Sequence, residues 1–144
     1  MTASTFAIVQ IIVFVAAATP LVLEGINNWT ASNRNNALLF GAGAVMAIIA
    51  VALGHSTFSL GALGMGIAVA AGLLAVAATG AVSGGVAKSC IALLPWFSTD
   101  TWLSVFAAGM LIAGVLGFVF KRNVLIAPPM VAAGTVALAL PVLM

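Results

Sequence analysis

Chemistry needs partnered groups, and the reactive residues of this sequence are few and far apart. The acids are Glu24 and Asp100, the cations Arg34, Lys88, Lys121 and Arg122, the imidazole His55 and the thiol Cys90. Nucleophilic catalysis requires a base within hydrogen-bond reach of the nucleophile and a third group to orient it. A lone histidine remote from Cys90 does not provide that pattern. A metal or haem centre needs three or four ligands, and the six methionines are dispersed rather than paired with His55 or Cys90. The spaced glycines of residues 61–66 (GALGMG) lie inside an apolar run with no strand before them, so they lack the setting of a phosphate-binding loop. The expectation is a chain that is not an enzyme and holds no cofactor and no metal.

The elements that would carry these residues are set by composition. Of 144 residues, 65% are hydrophobic and 4% charged, and the mean hydropathy is +1.35. Soluble domains carry about 25% charged residues, so this chain has too little polar surface to face water. Four cations are also too few for the clustered basic face that nucleic acid requires, and no nucleic-acid partner is expected. The partners expected are the lipid bilayer and either other membrane subunits or copies of the same chain. The fold class expected is all-α, a polytopic integral membrane bundle of four to five transmembrane helices with very short loops, in the cell (inner) membrane.

Apolar runs place the spans at about 6–23, 37–53, 60–82, 102–120 and 124–143, within one transmembrane domain covering 1–144. Each approaches the ~20 residues that cross a hydrocarbon core of about 30 Å. Pro20 is expected to bend or end the first helix near its last turn. Residues 83–101 contain no run long enough to span and read as an interfacial or re-entrant segment, or as an extension of the third helix beyond a glycine hinge. Re-entrant backbone needs protein or water to satisfy it. With five spans the cations divide evenly, Arg34 and Lys88 on one side and Lys121 and Arg122 on the other. The compact pair at 121–122 leans the N-terminus toward the cytoplasm.

Small residues supply the expected packing surfaces, because lipid gives helices no hydrophobic reason to associate and close backbone approach must do so. Gly61, Gly64 and Gly72 mark the third span, expected at the bundle centre or at a subunit contact. Gly109, Ala113, Gly114 and Gly117 mark the fourth. Trp29, Trp96 and Trp102, with Lys88, Lys121 and Arg122, are expected as anchors at headgroup depth.

The stretch Gly-Val-Leu-Gly-Phe-Val-Phe-Lys-Arg-Asn-Val, from Gly114 to Val124, precedes a final apolar helix. It resembles the hairpin of conjugative (type IV secretion) pilins, two apolar helices around a short basic loop. The resemblance covers the last third of the chain and implies a loop facing a pilus lumen, with Lys121 and Arg122 as lumen cations. Three functional expectations follow. The first is a small non-catalytic subunit of a larger membrane complex, packing through Gly/Ala-rich faces. The second is a small homo-oligomeric channel or transporter, with Gln10, Thr79 and Thr135 as the polar residues along its path. The third is a polymer-forming subunit of the pilin kind.

Overall fold

The computed structural model describes residues 2–28, 31–56, 59–80, 82–120 and 127–143. Among them there is no strand. Six helices follow in order: α1 (Ala3–Asn28), α2 (Asn33–Ala52), α3 (Leu60–Ala78), α4 (Gly84–Ala92), α5 (Thr99–Phe120) and α6 (Ala127–Leu143), with a 3-10 turn at Leu94–Trp96 between α4 and α5. Three helices are long and apolar enough to cross a membrane, over Ala3–Asn27, Asn33–Ala52 and Gly61–Ala78. Two shorter apolar stretches, Asp100–Leu116 and Ala127–Leu143, belong to α5 and α6.

Helix ends are set by local side chains. Ser32, Ser59 and Ser83 each accept a hydrogen bond from the backbone N–H three residues on, capping α2, α3 and α4. Ser98 does the same for Thr101 at the start of α5. Gly80 closes α3 with a φ of 78°, the left-handed conformation that stops a helix and favours glycine. Pro128 and Pro129 fall in the first turn of α6, where backbone N–H groups lack helical partners in any case.

Pro20 does not end α1, which continues eight residues further to Asn28. The reason lies across the turn, where the Glu24 carboxylate accepts from Ser32 N–H at 3.0 Å and from Asn35 Nδ2 at 2.8 Å. These bonds hold the end of α1 against the start of α2.

The most extensive contact joins α1 to α6; α5 packs along α6, and α2 along α1. The segment α4 and its 3-10 turn wedge between α2 and α6. The core is built from Phe14, Leu21, Leu39, Cys90, Leu93, Trp96, Trp102 and Met130. Large apolar side chains point outward instead, among them Ile48, Ile67, Leu111 and Phe118. A water-soluble domain would bury such a surface; a lipid-facing one leaves it exposed.

α3 is not at the centre. None of its apolar window is buried, and it touches the bundle along α4, with a slight contact to α5. Its small side chains offer no projecting groups for a core, which the aromatic and sulfur residues of other elements fill. Of the two positions expected for this helix, the bundle centre is therefore excluded.

Candidate functional site

The segment from α4 to α5 enters the bundle and turns back. At the start of α4, Lys88 Nζ donates to Asn33 Oδ1 at 2.8 Å, level with the first turn of α2. By Trp96 the chain has reached Leu39 and Gly43. These lie about 9–15 Å along an α2 roughly 30 Å long. There Trp96 Nε1 donates to the Leu39 carbonyl at 2.9 Å. Gln10 Nε2 donates to the Trp96 carbonyl at 3.4 Å, and Phe14 meets the indole edge-on at 5.0 Å between ring centres. The tip of the turn is thus at half the depth of the bundle.

α5 then returns. Trp102 Nε1 donates to the Cys90 carbonyl at 3.0 Å, and Gly109 lies against Met130, its missing Cβ only 3.0 Å from Met130 Cα. Met130 Sδ is 3.6 Å from Cys90 Sγ, on the Lys88 side of the tip. Four residues along α6, Gly134 sits under Phe14 and Phe97, so α6 rises to the tip as α5 descends from it. The apolar run expected as a fourth full span begins at mid-depth.

Trp96 and Trp102 are 3% and 2% exposed, so protein rather than headgroups covers both rings. Their expected role as interfacial anchors gives way to one in the core, where each buried indole N–H finds a backbone carbonyl. Lys88 is exposed at the polar end. Trp29, Lys121 and Arg122 lie outside the described residues, as do the surroundings of Gly117.

The expected packing glycines divide into two groups. Gly109 is buried on Met130, and Ala113 packs against the core. Gly64, Gly72 and Gly114 have no atom within 4 Å of a Cβ position, and Gly61 has only the nearby Ser59 hydroxyl. Two glycines outside that set have comparably close neighbours: Gly43, covered by the Trp96 indole, and Gly134. Only the identity of the facing aromatic ring marks them out.

The polar end of the bundle holds a surface pocket of about 330 Å³ lined by Asn33, Asn36, Phe40, Lys88, Ile91 and Ala92. Asn36 is 5% exposed. Its Nδ2 donates to the Ser32 carbonyl at 3.0 Å, while its Oδ1 is buried without a hydrogen-bond partner. Sequence alone shows a polar stretch here but not that Lys88 of α4 comes to meet it.

At the opposite end, the His55 ring lies 5.1 Å from that of Phe6. Among the described residues no three His, Cys, Asp or Glu side chains come together as a metal site. Cys90, on the short α4, is a buried free cysteine, and burial in apolar surroundings suppresses the reactive thiolate. No protein-family model matches this chain, and no curated protein or solved structure is significantly similar to it.

Proposed function

We propose that this chain is a small non-catalytic subunit of a larger membrane assembly, docked to its neighbour through α3. The observation that carries this reading is the direction of the small-residue stripe on α3. At about 100° per residue, Gly61, Gly64, Ala68, Gly72 and Ala75 share one face. The half-covered residues Gly66, Val69, Ala70, Leu73 and Ala77 lie roughly 150° around from them. The face suited to close backbone approach thus points away from the chain's own bundle. The outer part of α5 supports the same reading, since Leu111, Val115, Phe118 and Val119 are all more than half exposed and Gly114 has open space beside it.

In the membrane, we read α1, α2, α3 and α6 as four crossings, with α4 and α5 forming a helical hairpin that enters from the Asn33 end. This arrangement replaces five equal spans and changes the charge count. Arg34 and Lys88 then share a side, and no other Lys or Arg falls among the described residues. The positive-inside rule then makes that side cytoplasmic and the start of α1 external. The location would be the cell (inner) membrane.

The hairpin also motivates a second reading, a homo-oligomeric channel or transporter, because broken helices meeting at mid-depth are how many transporters build a site. The first reading is preferred because Trp96, Phe14 and Phe97 fill the tip and the Trp96 carbonyl already accepts from Gln10.

The test is purification in native nanodiscs, with mass measurement and identification of co-purifying chains. Stoichiometric foreign subunits that are lost on Gly64→Leu are expected. A discrete homo-oligomer would favour the channel, long polymers of this chain alone the pilin-like subunit, and a monomer would remove the docking proposal.

A further inference from the structure

The pocket between α2 and α4 brings together a cation and a buried amide whose oxygen has no hydrogen-bond partner. Lys88 Nζ carries three donors, one of which is given to Asn33 Oδ1. Among the described residues Lys88 forms no ion pair with a carboxylate. Glu24 is tied to Ser32 and Asn35, and Asn35 points about 200° around α2 from Asn33, away from the pocket. The cation therefore faces the pocket with donors to spare, beside the first turn of α2, whose helix dipole also favours negative charge.

Asn36 supplies the second, independent feature. Its amide orientation is fixed by donation to the Ser32 carbonyl, which leaves Oδ1 as a buried acceptor facing no protein donor. Buried polar atoms are rarely left so. Asn36 lines the pocket, and a small turn of its side chain would bring this oxygen to a ligand hydroxyl there. The remaining lining, Phe40, Ile91 and Ala92, is apolar and runs from the polar rim toward the middle of α2.

We propose that this pocket binds an anionic lipid with a hydroxyl-bearing headgroup, of the phosphatidylglycerol type. The phosphate diester sits on Lys88, a headgroup hydroxyl donates to Asn36 Oδ1, and an acyl chain follows Phe40 and Ile91. The apolar lining commits the ligand to a lipid rather than to free phosphate. The location at the first turn of a helix long enough to cross the membrane places the pocket at headgroup depth. The inference rests on the membrane reading above but not on the docking of α3.

The experiment uses the full chain in nanodiscs of phosphatidylcholine containing phosphatidylglycerol or phosphatidic acid as a minor component. Native mass spectrometry counts the lipid retained. The expected result is about one phosphatidylglycerol per chain, retained over phosphatidylcholine. Lys88→Gln should lower retention about fivefold, the worth of one cation near a lipid surface. Asn36→Leu should abolish the preference for phosphatidylglycerol over phosphatidic acid, which lacks the headgroup hydroxyl. Arg34→Gln removes an exposed cation outside the pocket lining and should change nothing. Equal losses for Lys88→Gln and Arg34→Gln would mean diffuse attraction and overturn the site. So would retention unaffected by Lys88→Gln, or full displacement of the lipid by millimolar glycerol phosphate. Failure of the chain to enter nanodiscs at all would instead sink the membrane reading.

Discussion

Replacing Gly43 with alanine should destabilise the bundle, although helix propensity alone predicts the reverse. The new Cβ would lie 2.6 Å from Trp96 Nε1, 2.8 Å from Cδ1 and 2.9 Å from Cε2. Ordinary carbon contacts begin near 3.5 Å, so the indole must move by roughly 1 Å. That ring is held by its bond to the Leu39 carbonyl and by the edge of Phe14. Moving it stretches a 2.9 Å hydrogen bond beyond useful range. The lost bond costs about 1 kcal/mol and overpacking about 1–3 kcal/mol, while alanine returns about 1 kcal/mol of helix propensity. The net expectation is a loss of about 1–3 kcal/mol. Gly64→Ala is the matched control, since nothing lies within 4 Å of its Cβ and only the favourable propensity term applies. Thermal or SDS-induced unfolding in detergent, followed by near-ultraviolet circular dichroism of the tryptophans, measures both. If Gly43→Ala proves as stable as Gly64→Ala, the seating of Trp96 on α2 is wrong, and with it the mid-depth turn.

Further expectations concern other parts of the molecule. Gly64→Leu, Gly72→Leu and Gly114→Leu should leave helicity and unfolding temperature near wild type but reduce recovery of partner chains; a collapse of the monomer fold would show that these faces are used internally. Cys90 should resist maleimide in the folded protein and react after SDS denaturation, and rapid native labelling would contradict its burial. Ser32→Ala removes the cap on α2 and should cost about 1 kcal/mol, while Glu24→Ala should cost about 1.5–3 kcal/mol by releasing charged hydrogen bonds. Unchanged unfolding for both would mean that the α1–α2 turn is held by other contacts.

Composition and apolar run length made the helical class and the three long helices legible, because a chain with so few charges cannot cover itself in water. The hairpin of α4 and α5 was not. An apolar run reports its surroundings, not the depth at which it starts, so α5 reads like a full span. What sets its depth is the fit of Trp96 to Leu39 and Gly43, more than fifty positions away in sequence. Tryptophans at the ends of apolar runs suggested headgroup anchors, yet Trp96 and Trp102 find carbonyl partners inside. Glycines posed a similar ambiguity: Gly43, Gly109 and Gly134 serve the chain itself, while Gly61, Gly64, Gly72 and Gly114 have the same composition around them and open space beside them. The pocket required Lys88 and Asn36 to meet from separate helices, which no local pattern encodes.

The pairing of α1 with α6 also sets a schedule for synthesis. About 100 residues separate the end of α1 from the start of α6, and ribosomes add roughly 5–20 residues per second. For about 5–20 s the first helix is therefore made and waiting before its main neighbour emerges. During that interval the Phe14 ring, later seated on Gly134, faces lipid or a temporary companion. Any insertion factor that shields the early helices has to let go of α1 late, and a nascent chain stalled before α6 would present an unfinished seam to whatever else the membrane contains.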